Sequence, residues 1–561
     1  MAFDFIRRLL GDETTAGKSA FAGGDAYGNP TLGGNRAYDA GSRTNRHMLR
    51  FVPRIGGADR EALGSRDLIV ARARDLVRNN PVISGGLDRR TEAVVGSRVR
   101  LQAMPDFEAM GRDWKWAAKW ARNVESQFRV WDRDTRRLCD AERAQSFGQM
   151  METAYRHWWV DGEALAYIER RDRGSAYQTC VRLIDPDRLQ NPDGVADETV
   201  LPNGNQVIGG VEIDPDGVAV AYHIRVNHPD SLVLRRPGEE TERVAREDPD
   251  GCPRLIHAFK RHRAQQRRGI SRLVASMRKI RMLDKYDDAE LELAILRATR
   301  APYVEMQAST DEARTAIGEA PTDGTASGNI AEEWLDYREE TPLYVGDLGF
   351  THLFPGEKIG FAQAEGPPAH FAEFKAEGLR SIASDFGLSH QQLAQNWEDI
   401  NYSSARTLLN EIWRSLLDDR WQFTQSLPAL IYAAWLQEAV AIGKVKVPGG
   451  PINFFRYRAE LTMSEWLGPG RGRVDPKKEA EASDMNLAAG RTNLAMEANE
   501  QGQDARDILL GRARDREMIE EYGLSDMIGH NGGPAMAADE EDTDVADARE
   551  RQTGDREAVV E

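Results

Sequence analysis

Between Gly269 and Pro302 the chain contains few helix breakers, and Leu273, Met277, Ile280 and Leu283 fall on one stripe at helical spacing. One helix of about 30 residues would measure roughly 45 Å at 1.5 Å per residue. A rod of that length with a single apolar stripe has to be packed against other elements, and the rest of the chain divides around it. At 561 residues the chain has room for roughly three to four domains by size alone. Hydrophobic residues make up 40% and charged residues 29%, the balance of a folded globular protein. No apolar run approaches the ~20 residues that span a bilayer, and the opening MAFDFIRRLLGDE is too short and too charged for a secretory signal. A cytoplasmic protein with no membrane partner is expected. Cys139, Cys180 and Cys252 are isolated from one another, which argues against disulfide staples and thiolate zinc sites.

The formal net charge is −17, from 74 Lys and Arg against 91 Asp and Glu, and it disfavours a protein that grips nucleic acid by blanket phosphate neutralisation. The charge is uneven. From Asp539 to Glu561 there are ten acidic and three basic side chains. Between Lys260 and Arg281 there are nine basic residues and no acidic one, either a solvated face or a surface that meets phosphate or an acidic partner.

Residues 19–50 are rich in Gly, Ala, Asn and Asp and read as an extended arm. Helical periodicity starts near Ser65 and stops at Asn79-Asn80-Pro81; a second helix follows to Gly96. Trp116, Trp120, Val124 and Phe128 recur every four residues and predict the core face of a third helix. A helix over about Gln145 to Trp159 leads to a strand at Ala164 to Glu169. VRLIDPDRL and GGVEIDPDGVAVAYHIRV then read as strands, the second as a hairpin turning at Asp214-Pro215-Asp216-Gly217. Beyond the long helix lie a polar insertion at 307–340 and short strands between Pro342 and Phe361. A helix from about His370 to Phe386 and a longer one from Ser403 to Val440 follow, the latter kinked by Pro428. Two more helices, near 476–490 and 503–522, precede the acidic tail, which is expected to be disordered.

Catalytic signals are weak. Ala16-Gly17-Lys18-Ser19 ends like a phosphate-binding loop, but Asp12 stands where the leading glycine belongs and no strand precedes it. No histidine pair has metal spacing, His262 reads as a surface residue, and Glu398, Asp399 and Asp418 read as solvated carboxylates. No catalytic, metal or cofactor site is expected.

The order of several short segments is more specific. Arg129-Val130-Trp131 precedes Cys139-Asp140-Ala141, and then come Val160-Asp161-Gly162-Glu163 and Leu183-Ile184-Asp185-Pro186-Asp187-Arg188-Leu189. Gly210-Val211-Glu212 precedes Ala221-Tyr222-His223, and Ile256-His257 precedes Arg268-Gly269-Ile270-Ser271. Asp284-Lys285-Tyr286-Asp287-Asp288-Ala289-Glu290-Leu291, Phe354-Pro355-Gly356-Glu357, Asn401-Tyr402-Ser403-Ser404-Ala405-Arg406 and Val474-Asp475-Pro476 complete the series. In this order, from about residue 40 to about 525, the chain resembles the lambda-type family of tailed-bacteriophage portal proteins.

That resemblance implies a structural protein without catalysis: a ring, usually a dodecamer, at one capsid vertex, through which double-stranded DNA is packaged and ejected. Terminase, the major capsid protein and head-tail connector proteins are the implied partners, and the virion, with the host cytoplasm during assembly, is the implied location. It also implies an α+β portal fold laid out as a flexible arm (1–40), an α/β wing (41–268), a first stem helix (269–300), a clip (301–365) and a second stem helix (366–388). A channel loop (389–402), a kinked helix returning to the wing (403–470), a helical crown (471–530) and the tail (531–561) follow. On this layout the basic stem face comprises Arg278, Lys279 and Arg281, the channel loop presents Asn396, Trp397, Glu398 and Asp399, and Arg406 and Arg414 sit at the subunit interface. A DNA-packaging ATPase or nuclease component is the alternative from another functional class.

Overall fold

The computed structural model describes residues 46–48, 50–232, 240–299, 302–306, 357–361, 371–396, 402–472 and 475–524. The arm at 1–40, the loop at Ala16–Ser19, the insertion at 307–340, Trp397 to Asp399 and the tail at 531–561 lie outside them. Contacts divide the chain at Gly57, and everything from Ala58 onward is one compact unit.

That unit opens with helices α1 (Ala58–Asn79) and α2 (Pro81–Val94). They part where the Asn80 side chain caps the Ile83 amide and Pro81, which has no amide proton to satisfy, starts the second. Strand β1 (Arg100–Ala103) leads to α3 (Trp114–Asp132), whose Trp120, Val124 and Phe128 are buried and Trp116 half-buried, as the four-residue spacing predicts. Helix α4 (Phe147–Val160) begins with a reciprocal cap between Ser146 and Gln149.

The strand-rich block forms two antiparallel sheets. β2 (Glu163–Arg170) lies between β3 (Thr179–Ile184) and β9 (Leu255–Phe259). β4 (Thr199–Val200), β5 (Gln206–Ile208), β6 (Val211–Ile213), β7 (Ala219–Arg225) and β8 (Thr241–Ala245) form the other, in that order. The expected hairpin is β6–β7: the Asp214 carbonyl accepts from the Gly217 amide at 2.9 Å, and Gly217 takes φ +84°. Leu165, Leu255, Ile224 and Tyr222 join the two sheets in a small core of their own.

The helix expected over 269–300 is shorter. A 3₁₀ turn at Arg272–Ala275, capped by Ser271, precedes α5 (Met277–Thr299), because Arg268 and Gly269 are drawn into a buried ionic contact that helical backbone would not permit. Strand β10 (Pro302–Met306) pairs antiparallel with β11 (Glu357–Phe361), Pro302 opposite Phe361. Helix α6 (Phe371–Phe386) then packs on α5. Leu283 covers Gly378, Tyr286 packs tilted against Phe371 and edge-on against Phe374, and Asp287 meets Lys375 at 2.8 Å, so the two helices run antiparallel.

The loop expected at 389–402 instead starts as a short helix, α7 (His390–Ala394). Ser389 and Gln392 cap it reciprocally, and Leu393 is buried against the α2 surface at Gly86. The helix expected to kink at Pro428 is interrupted there, as α8 (Tyr402–Ser426) and α9 (Pro428–Ala441): Leu427 between them takes φ −130°, because the proline ring disfavours helical backbone at the residue before it. α9 is central and largely apolar, with Phe128, Trp131, Tyr432, Trp435 and Trp466 forming one aromatic cluster. The chain closes with α10 (Ile452–Arg456), α11 (Arg458–Thr462), β12 (Ser464–Leu467) beside β1, and α12 (Pro476–Ala488), α13 (Leu494–Glu500) and α14 (Ala505–Glu521). α13 was not anticipated by its sequence. Among the described residues no helix is long and apolar enough to cross a membrane, and the three cysteines are buried thiols.

Candidate functional site: an ionic junction at the foot of the long helix

The turn into α5 is held by charge. Glu163, fully buried on the first residue of β2, receives Arg268 at 2.6 Å, Arg66 at 2.7 Å, the Gly269 amide at 2.8 Å and His257 at 2.9 Å. Arg268 spends its remaining donors on the carbonyls of Leu189, Gly209 and Pro186 at 2.7, 2.6 and 3.2 Å. Every group in the cluster is thus compensated, as burial of charge requires. The approach depends on two glycines. Gly162 has φ +88°, and a Cβ there would lie 2.2 Å from the carbonyl carbon of Ile270; one on Gly269 would lie 2.0 Å from the Gly162 oxygen.

Two further junctions flank it. Arg74 of α1 bonds Asp161 at 2.8 Å, Asp185 at 3.0 Å and Asp187 at 2.6 Å. Asp419 of α8 takes Arg90 at 2.5 Å, Tyr155 at 3.0 Å and Arg272 at 3.1 Å, tying α2, α4, α8 and the turn before α5 together. Asp185, Asp187 and His228 come within metal-ligating reach of one another, but Arg74 already compensates both carboxylates.

Burial by itself would raise the Glu163 pKa, yet Arg268, Arg66 and His257 outweigh it and hold the carboxyl well below its usual range. Asp419 is likewise depressed, burial being overcome by Arg90 and Arg272. His257 is lowered by burial, despite Glu163 beside it. All three therefore bind protons more readily unfolded than folded, and stability rises with pH. The subunit is expected to lose stability in acid in two stages, first below the ordinary histidine value of 6.5 and then below the ordinary glutamate value of 4.5. Urea midpoints between pH 8 and pH 3 test this; a midpoint that stayed flat or rose on acidification would contradict it.

The basic run from Lys260 to Arg281 proves to be divided. Arg263 pairs with Glu61, Arg267 with Asp59, Arg268 with Glu163, Arg272 with Asp419, and Lys260 lies 3.8 Å from Asp418. These cations stitch the subunit. Arg278, Lys279 and Arg281 are exposed on the first turns of α5, while Ile280 and Leu283 turn inward. His262 is exposed, as is Asp418, which accepts from Gln422 at 2.7 Å. Asn396 is exposed at the end of α7. Arg406 is half-buried on α8 and Arg414 exposed. The α8 face splits: Ile412, Leu416 and Phe423 are core, but Leu417 and Trp421 are 42% and 64% exposed beside Arg414.

The junction also gathers the short segments that carry the resemblance. Asp161 and Glu163, Asp185 and Asp187, His257, and Arg268 and Gly269 are contacts of one another or of Arg74, and Glu212 meets His223 at 3.2 Å. A family model for lambda-family phage portal proteins matches residues 44–420. The chain belongs to the lambda family of phage portal proteins. As a portal protein it is a structural component of a tailed-phage capsid. It is 26% identical to portal protein B of Escherichia phage lambda over 497 residues, 87% of this chain and 89% of that one. The portal protein of Escherichia phage N15 is 26% identical over 451 residues, covering 79% and 83%, and a probable portal protein of Halomonas phage phiHAP-1 is 27% identical over 440, covering 76% and 77%. Among solved structures, a chain in the neck of a native gene transfer agent particle, computed with C12 symmetry, matches at 13% identity with a TM-score of 0.38, over 78% of this portal protein and 97% of that chain. A chain from the neck of the empty particle, computed with C6 symmetry, matches at 15% and 0.40, over 78% and 93%. The family match ends within α8, while the likeness to portal protein B, over 87% of this chain, extends beyond it, in keeping with the expected reach to about residue 525.

Proposed function

We propose that the portal protein closes into a homo-oligomeric ring, a dodecamer, at one capsid vertex. Double-stranded DNA passes through its axis during packaging and ejection, and terminase, the major capsid protein and head-tail connector proteins dock on it. It works as a conduit and hub, in the virion and, during assembly, in the host cytoplasm. It uses no cofactor and carries out no catalysis. The observation that carries this reading is the antiparallel pair α5 and α6, closed at one end by β10–β11 and fixed at the other by the ionic junction. In this reading the pair is the stem, the strand pair begins the clip, the sheets form the wing and α12 to α14 the crown. Arg406, Arg414 and the exposed Leu417 and Trp421 meet the next subunit, where a heterologous contact closes by rotation.

Negative-stain microscopy of the purified protein should show closed rings with a central hole; sheets, or monomers at every concentration, would exclude the proposal. The triple substitution Arg278→Glu, Lys279→Glu and Arg281→Glu reverses an exposed face. It should leave the subunit's melting temperature within about 2 °C, as surface changes do, while ring yield or packaged DNA falls about tenfold or more. Unaltered assembly and packaging would remove that face from the mechanism.

A further inference from the structure

Between the five-stranded sheet and the segment α9 to α11 runs a cleft of about 610 Å³ that the function above does not use. Its apolar floor includes Leu430 and Phe455, 41% and 52% exposed, and Phe455 continues into a second hollow of about 430 Å³ beside Ile442 and Ile452, 43% and 80% exposed. Contiguous exposed apolar surface of this kind marks an interaction site. The walls are cationic, with five arginines against one acidic residue, Glu247. Arg246 is answered by Glu247 at 3.2 Å and Arg267 by Asp59 at 2.7 Å. Arg261 and Arg456 lie over the rings of Phe259 and Tyr457, Arg458 donates to the Asp250 carbonyl, and none of the three has a carboxylate partner among the described residues.

We infer that this cleft docks the chain's own acidic C-terminal segment, Asp539–Glu561. Charge complementarity selects it. Six carboxylates and no basic residue fall between Asp539 and Asp547, and Val545 and the neighbouring alanines suit the apolar floor. Arginine with aromatic surface is the composition of a protein-binding patch, whereas a DNA backbone would gain nothing from Leu430 and Phe455. Reach permits it. α14 starts beside the β1–β12 pair, where Arg506 meets Glu125 at 2.8 Å, and β12 begins two residues after Thr462, which lines the cleft. α14 carries the chain about 25 Å away, and residues 525–538 extend up to roughly 50 Å.

The test uses the full-length protein with Phe455→benzoylphenylalanine, irradiated in the presence of DNA and digested for mass spectrometry. The expected main product joins Phe455's position to peptides from Asp539–Glu561. Its yield should fall about fivefold or more in 0.5 M salt, in Arg261→Glu/Arg456→Glu, and in a chain carrying Asp539→Asn, Glu540→Gln, Glu541→Gln and Asp542→Asn, whose changes lie far from the folded core. Cross-links to any other segment, to another copy's core or to DNA, no cross-link at all, or a yield indifferent to salt and to both sets of substitutions would each overturn the inference.

Discussion

Glu163→Gln is expected to destabilise the subunit by about 3 to 5 kcal/mol, because it leaves Arg66 and Arg268 buried with their shared countercharge gone. The substitution keeps shape and volume, so packing loss does not account for the effect. All four contacts to this carboxylate come from residues distant along the chain, and the Arg268 and Gly269 contacts set the turn from which α5 departs. The loss should therefore appear in urea unfolding of the isolated subunit and again as fewer assembled rings. A cost below about 1 kcal/mol would mean that the cluster is solvated and that its charges are individually dispensable.

Gly162→Ala should be as severe, at about 4 kcal/mol or more, the exceptional range for a single substitution. A methyl group there meets the Ile270 carbonyl carbon at 2.2 Å and the Ile270 amide nitrogen at 2.4 Å, and main chain cannot swing aside as a side chain can. Gly217→Ala provides the comparison. Gly217 has nearly the same backbone conformation, φ +84° against +88°, but the nearest atom to its Cβ would be the end of the Arg267 side chain at 3.7 Å. It should cost only the roughly 1 to 2 kcal/mol of left-handed strain. Equal losses at the two sites, measured by thermal melting, would show that the contact between the segments at 162 and 270 is not what holds them.

Helices with a clean apolar stripe were legible from spacing alone, as Trp120, Val124 and Phe128 show, and so was the β6–β7 turn, whose residues encode their own geometry. The start of α5 was not. Leu273 shares the helical spacing of Met277 and Ile280, but the backbone at 268–272 is committed to contacts with residues a hundred positions earlier, which no local pattern reports. The junction residues Arg66, Arg74 and Asp419 were missed for a related reason: charged side chains are assigned to solvent by default. One signal was present. Arg66 stands in register with Ala62, Val70 and Ala73 on the buried side of α1, and a cation on a core stripe demands an anion elsewhere. The nine basic residues after Phe259 likewise read as one surface, whereas their partners Asp59, Glu61, Glu163 and Asp419 come from three distant segments.

The β10–β11 ladder has a practical consequence for anyone who wants to observe this molecule at work. Because Pro302 and Phe361 sit opposite each other, the chain leaves and re-enters the fold at a single gate, and five paired positions brace it. Whatever lies between Met306 and Glu357 is tethered at both ends by the same hydrogen-bonded ladder, and lengthening such a tether costs only about 0.6 kcal/mol per doubling. A fluorescent or affinity module grafted into residues 307–340 would thus hang from two adjacent points while α5, α6 and the core beneath them keep their registration. That makes the segment a natural place to attach a reporter without rebuilding the subunit that carries it.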